Sequence, residues 1–398
     1  MRASVLVVVL LVTLLSWPSA SAEAPIKIKI GWVTELTGPW TFFGTGVTNG
    51  ARLAVDEIND AGGSKGRMFE LSIADNATNP AQAVAAARRL DIQEKVLLIS
   101  GPTNSDTAIA IYSYVEQNNV PFVVPVAAFP RLTRPGTQWT FRMEPDAVGW
   151  GYAIIKFVAR QKPGSRVAVL FSDAALFRAI RAGLKYQAPR ENVSIVMDVV
   201  FPPGTSDATV QVAQARQVNP DYIVVGGAGS FDITLTHQLL DAGFKPEQII
   251  KPYGAVEQII NWGPRSIGLY FGTFFDPAFV SKRAEARRFV DAYRRRYNTT
   301  PSYIENFGYV TVHAVKEALD RVPGRVTRTL FRDAMRRLKT IERTTGVPIV
   351  FDRNGARIEY YYVMQLKSVD VVRRDYTAWQ VFYITWSPDV IPVYELAP

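Results

Sequence analysis

The chain contains no cysteine. Disulfides, zinc–thiolate centres, iron–sulfur clusters, cysteine nucleophiles and a lipidated N-terminal cysteine are thereby excluded. Histidine is nearly absent too: His237 and His313 are the whole supply. Both sit inside helical patterns, Thr236-His237-Gln238 and Val312-His313-Ala314, and read as structural or surface residues rather than bases or ligands. No H-E-x-x-H, G-x-S-x-G or calcium-loop spacing occurs. After the first residues no apolar run approaches the roughly 20 residues that a membrane span needs. No catalytic group, metal site or cofactor is expected, and neither is stable membrane insertion.

What is present is an ordinary globular composition, 48% hydrophobic and 20% charged over 398 residues. That is enough to bury a sizeable core, and the length suggests two lobes. The first residues form a leader: Arg2, an apolar run from Val5 to Leu15 broken only by Thr13, then Trp17-Pro18 and the small-residue site Ala20-Ser21-Ala22. This pattern predicts a signal peptide over residues 1–22, cleaved after Ala22, and a periplasmic address. Removing those 22 residues takes away one arginine and no acid, so the formal charge falls from +9 to +8. Much of the excess lies in arginine-rich stretches, Arg283 to Arg296 and Arg321 to Arg337. These read as solvated faces of amphipathic helices, and export argues against a nucleic-acid partner.

Lys27 and Lys29 alternate with Ile26, Ile28 and Ile30 in a period-two strand. Helical spacing follows in Val47, Ala51, Ala54 and Ile58, stopped by Gly62-Gly63. A strand over Phe69–Asp75, a helix over Asn79–Leu90, a strand over Val96–Ser100, a helix over Thr107–Asn118 and a strand over Val120–Val124 complete one unit. A second unit of similar order runs from Trp150 to Lys251. The alternation predicts an α/β fold of two parallel, doubly wound sheets covered by helices. Helices are expected over Ala284–Tyr297, Tyr309–Arg321 and Arg328–Leu338, and strands over Val347–Phe351, Ile358–Leu366 and Trp379–Trp386.

Ligands of open α/β sheets bind beyond the carboxyl ends of the strands. Gly44-Thr45-Gly46 fails as a dinucleotide fingerprint because Asn49 stands where the third glycine belongs. Gly226 to Gly229 lacks the Lys-Ser/Thr of a phosphate loop and reads as a tight turn that admits a ligand or another backbone. Trp40, Phe42 and Phe43 follow the first strand. Asn104 and Ser105 open a helix after the third, where hydroxyl, amide and N–H groups suit a carboxylate; Ser105 or Asp106 would otherwise serve as an ordinary cap. Val126, Ala127 and Ala128 follow the fourth. Phe177 and Tyr253 occupy equivalent places in the second unit.

Thr37-Gly38-Pro39, Phe43-Gly44, Asn49-Gly50-Ala51, Ile58-Asn59-Asp60-Ala61-Gly62-Gly63, Lys65-Gly66-Arg67, Phe141-Arg142 with Asp146, and Phe351-Asp352 with Asn354-Gly355 occur in this order. Together they resemble the type I periplasmic binding proteins of the branched-chain (hydrophobic) amino acid ABC transport family. The resemblance implies a periplasmic-binding-protein-like clamshell, with two lobes joined by three crossovers near Glu144–Ala147, Thr273–Asp276 and Val347–Phe351. Lobe 1 would hold residues 23–144 and 277–347, and lobe 2 residues 145–276 and 348–398. It further implies a small-molecule ligand trapped between the lobes, an ABC permease as partner, and no enzymatic activity. The amino acid and amide receptors of the same family, and a ligand-sensing co-receptor of a membrane signalling protein, are the alternatives.

The resemblance places the ligand among Trp40, Phe43, Asn104, Ser105, Val126, Ala127, Ala128, Phe177, Gly229 and Tyr253. Several of these depart from the family pattern. Ala128 stands where a carboxylate-binding hydroxyl is usual, Phe177-Arg178 where tyrosine and glycine are usual, and Tyr253 where an acid pairs with the ligand ammonium. A buried ammonium without an anion costs several kcal/mol. The expected ligand is therefore apolar or aromatic, with carboxylates among the candidates, unless Glu35, Asp173 or Glu257 replaces the missing acid.

Overall fold

The computed structural model describes residues 26–277, 283–357, 359–373 and 375–386. The predicted leader lies outside the described residues. In chain order the first unit holds β1 (Lys27–Thr34), α1 (Thr41–Asp60), β2 (Met68–Asp75), α2 (Pro80–Ile92), β3 (Leu98–Ser100), α3 (Ser105–Asn118), β4 (Phe122–Val124) and β5 (Thr140–Arg142). These strands form one all-parallel sheet of order β2-β1-β3-β4-β5. The second unit holds α4 (Ala147–Gln161), β6 (Arg166–Ser172), α5 (Ala175–Gln187), β7 (Ser194–Phe201), α6 (Thr209–Val218), β8 (Tyr222–Gly226), α7 (Phe231–Asp241), β9 (Ile249–Lys251), α8 (Val256–Trp262) and β10 (Tyr270–Thr273).

The chain then returns to the first unit as α9 (Ala284–Tyr297), α10 (Tyr303–Asp320), α11 (Arg328–Arg336), β11 (Lys339–Ile341) and β12 (Pro348–Val350). It ends in β13 (Glu359–Asp370) and β14 (Asp375–Trp386), which complete a seven-stranded sheet of order β14-β13-β10-β9-β8-β6-β7. This sheet is mixed, not purely parallel: β13 runs antiparallel to β10 and β14 antiparallel to β13. Strands β5 and β10 and helix α8 carry too few residues to show a period in the sequence.

The two units share a packing device. In the first, α1 and α10 meet at Gly50 and Gly308, where a Cβ would strike Glu305 O and Val47 O. In the second, α4 and α5 meet at Gly151 and Gly183, where a Cβ would strike Ile180 O and Val148 O. Backbones approach this closely only where no side chain intervenes. The matching helix pairs support the duplication that the sequence order suggested.

The chain passes between the units after β5, after β10 and once more after β12. The third lies later than Val347–Phe351. Arg142 N–H donates to Gly355 O at 2.9 Å, and Arg142 bridges Ala356, so this turn still pairs with the edge of β5. The chain leaves the first sheet only after Arg357. Arg357 is itself fully buried and pairs with Glu342 at 2.8 Å, which anchors the passage.

Candidate functional site

A cavity of about 540 Å³ opens between the units at the carboxyl ends of both sheets. Pro39, Trp40, Thr78, Asn104 and Asp106 line it from the first unit, and Ser172, Asp173, Gly204, Gly229 and Ser230 are among the residues facing them. Strand β1 delivers Trp40 through the loop that caps α1, and β3 delivers Asn104 as the cap of α3. From the other side β6 ends at Ser172, and β8 leads into the glycine turn.

Of the expected residues, Trp40, Asn104 and Gly229 line this cavity. Gly229 adopts φ 57°, and a Cβ there would sit 3.2 Å from Pro39 O of the opposite unit. The turn therefore admits another backbone, one of the two uses its glycines suggested. It is held by a buried ion pair: Asp232 accepts from Lys251 Nζ at 2.6 Å, Gly227 N–H at 3.0 Å and Trp262 Nε1 at 3.0 Å. Burial pulls the Lys251 ammonium below its ordinary range, against the pull of Asp232.

Phe43, Phe177 and Tyr253 are buried and are not among the residues lining the cavity; Phe43 and Phe177 each meet Tyr253. Phe43 of α1 meets Tyr253 edge-on at 5.7 Å between centroids, and Phe177 of α5 stacks on Tyr253 at 6.2 Å. Trp40 lies 5.0 Å from Phe43, and Trp150 lies 6.4 Å from Tyr253. Burial pushes the Tyr253 hydroxyl far above its usual range, and Asp232 adds to the shift. Val126, Ala127 and Ala128 are buried and are not among the residues lining the cavity; Ala128 O accepts from Ala147 N–H at 2.9 Å and ties the end of β4 to α4.

Asn104, rather than Ser105 or Asp106, caps α3. Its Oδ1 accepts from Asp106 N–H at 2.9 Å and Thr107 N–H at 3.1 Å. Those two helix N–H groups are thus taken internally and are not open to a ligand carboxylate. Ser105 is buried beside them.

Glu35 cannot replace the missing acid. It is fully buried, and its carboxylate accepts from Asn76 Nδ2 (2.9 Å), Thr103 N–H (3.0 Å), Thr103 Oγ1 (2.7 Å) and Thr107 Oγ1 (2.8 Å). The half-buried Glu257 acts electrostatically on Glu305 of α10 and is not among the residues lining the cavity. Asp173 does reach the cavity, but it pairs with Arg178 at 2.6 Å. Arg178 also reaches Asp106 across the cleft at 3.4 Å, and Ala175 N–H donates to Asp106 at 3.3 Å. The sequence reading missed Asp106 and Arg178 as cleft-spanning groups; a charge at the first turn of each helix facing the cleft is the only signal they gave.

Two α/β units with a cavity of mixed lining between them have the clamshell architecture of ligand-trapping receptors. The family model of the periplasmic binding proteins matches residues 27–370, and the chain belongs to that family. It is 24% identical over 326 residues to a Leu/Ile/Val-binding protein homolog of Brucella melitensis, covering 82% of this chain and 88% of that one. It superimposes on the leucine binding protein LivK of Thermotoga maritima with TM-score 0.78 and 25% identity, covering 92% of this chain and all of the other. A solute binding protein of an ABC transporter from R. palustris, in complex with benzoate, shares the fold with TM-score 0.81 at 17% identity, over 92% of this chain and 99% of the other. The protein is a solute receptor of the type I, branched-chain amino acid group, with a small ligand as its cargo.

Proposed function

We propose that this receptor binds a small aromatic carboxylate and delivers it to an ABC permease. The observation that carries the reading is Tyr253, buried between Phe43 and Phe177 at the position where the family resemblance expects an acid. Glu35 is consumed inside the first unit, and Asp106 and Asp173 share Arg178 at the cavity mouth. An α-amino acid would bring its ammonium against Tyr253 where the family resemblance expects an acid, and a buried ammonium without an anion in contact costs several kcal/mol. An aromatic acid brings none. Its ring would pack on Trp40, which the Phe43–Tyr253 pair supports from behind, the ring contact contributing about 0.5–1.5 kcal/mol. Its carboxylate would take the Asn104 amide N–H and the Ser105 hydroxyl. The R. palustris relative that holds benzoate on the same fold supports this choice.

In this reading residues 1–22 direct export to the periplasm and are removed after Ala22. Ligand capture closes the lobes, the closed form docks on the permease, and no bond in the ligand is broken. A thermal-shift comparison of benzoate with leucine tests the reading. At 100 times its dissociation constant a ligand stabilises by about 2.7 kcal/mol. A shift with benzoate and none with leucine is expected; the reverse would return the protein to the amino acid receptors.

A further inference from the structure

A second cavity is larger than the cleft. About 950 Å³ opens at the opposite end of the first unit, beside the amino ends of β1 and β3. β1 starts at this cavity and runs towards the cleft for eight residues, about 25 Å of strand at 3.3 Å per residue. Lys29, Arg67, Lys95 and Arg325 are among the residues that line it.

The acids around this cavity are already engaged. Glu70 pairs with Lys27 at 2.9 Å, Glu94 with Arg89 at 2.5 Å, and Asp91 with Arg328 at 2.6 Å. Arg67 is different. It is 6% exposed, its Nε donates to Ser64 O at 3.1 Å and one terminal nitrogen donates to Val322 O at 3.2 Å. Its other terminal nitrogen, Nη1, is buried with no partner. Both bonds go to neutral carbonyls, so the guanidinium has no counter-anion among the described residues. A buried cation in that condition is costly unless an anion completes it. Guanidinium forks and clustered lysines are the groups that bind phosphate.

We propose that this cavity is an anion site for a phosphate group, with Arg67 as its floor and Lys29, Lys95 and Arg325 as its rim. The volume leaves room for more than one phosphate or for a phosphate with its attached group. The bearer is either a free phosphate compound or a phospholipid headgroup at the membrane surface.

The test uses the purified protein in low salt with inorganic pyrophosphate, followed by titration calorimetry. A second arm sediments the protein with phosphatidylglycerol vesicles, using phosphatidylcholine vesicles as control. The double variant Lys29→Gln/Arg325→Gln removes two exposed or half-exposed rim charges without disturbing the fold; its unchanged melting temperature checks this. Saturable pyrophosphate binding, weakened at least tenfold in the double variant and by added salt, is expected. Selective sedimentation with phosphatidylglycerol that the variant loses, and that pyrophosphate competes away, would identify the headgroup as the source. Pyrophosphate binding without such sedimentation would identify a free phosphate. Absence of binding in both arms, or binding that the double variant leaves unchanged, overturns the proposal.

Discussion

Asp106 at the start of α3 and Arg178 in α5 stand on opposite walls of the cleft with 3.4 Å between their charged groups. The same aspartate also accepts the Ala175 N–H of the opposite unit at 3.3 Å. These contacts exist only while the lobes are together, so they act as a latch on the closed form. Both side chains are 39% exposed, which limits the pair to about 0.2–1 kcal/mol. Arg178→Gln should therefore lower the closed-to-open ratio by a factor of up to about five. Small-angle scattering would show it as a larger radius of gyration without ligand, and raising the salt should imitate it in the parent protein. An unchanged radius would mean that the Asp106–Arg178 pair does not hold the lobes together.

The aromatic contacts meet at Tyr253. Tyr253→Glu would put a carboxylate into a site 3% exposed, among Phe43, Phe177 and Trp150. Benzoate affinity should fall at least tenfold, measured by calorimetry. Leucine should gain whatever the new acid offers its ammonium. Unchanged benzoate affinity would remove Tyr253 from the site.

Glu35 is expected to matter for stability rather than for the ligand. Its four hydrogen bonds join the ends of β1 and β2 to the start of α3. Glu35→Ala leaves those buried donors unsatisfied, at about 1–3 kcal/mol per group that finds no new partner. Denaturant unfolding should show a loss of about 3 kcal/mol or more, while Glu35→Gln, which keeps an acceptor, should lose less.

His313 predicts a pH dependence. It is buried against Tyr309 at 4.4 Å, both ring nitrogens are without a partner, and burial, with help from Arg343 and Lys316, pulls its pKa down to about 3. The ordinary value is 6.5, so below about pH 6.5 the unfolded chain takes up a proton that the folded chain refuses. Stability therefore falls with falling pH, by about 1.4 kcal/mol per unit between 6.5 and 3. Denaturation of the parent and His313→Gln at pH 7 and pH 5 should show the gap between them change by about 2 kcal/mol. A constant gap would contradict a neutral, buried ring.

Most of the architecture was legible locally. Alternation in Lys27–Ile30 gave β1, the spacing of Val47, Ala51, Ala54 and Ile58 gave α1, and Asn79-Pro80 marked the start of α2. These signals live within a few residues, because side-chain direction repeats every two residues in a strand and every 3.6 in a helix. The cavity walls at Trp40, Asn104 and Gly229 followed from the rule that ligands sit beyond strand ends.

What the sequence could not decide was which partner each polar group finds. Glu35 was free to serve the ligand until Asn76, Thr103 and Thr107, up to 72 residues away, took its lone pairs. The Asn104 oxygen became the cap of α3 and took up two helix N–H groups, and Val126, Ala127 and Ala128 became packing behind the cavity. The late third passage rests on Arg142 meeting Gly355, and the latch on Asp106 meeting Arg178. Hydrophobic period is a property of neighbouring residues, and the chain wrote it directly. Hydrogen bonds and charge pairs are satisfied once each by whatever the fold brings within about 3 Å, and only the tertiary structure settles that competition.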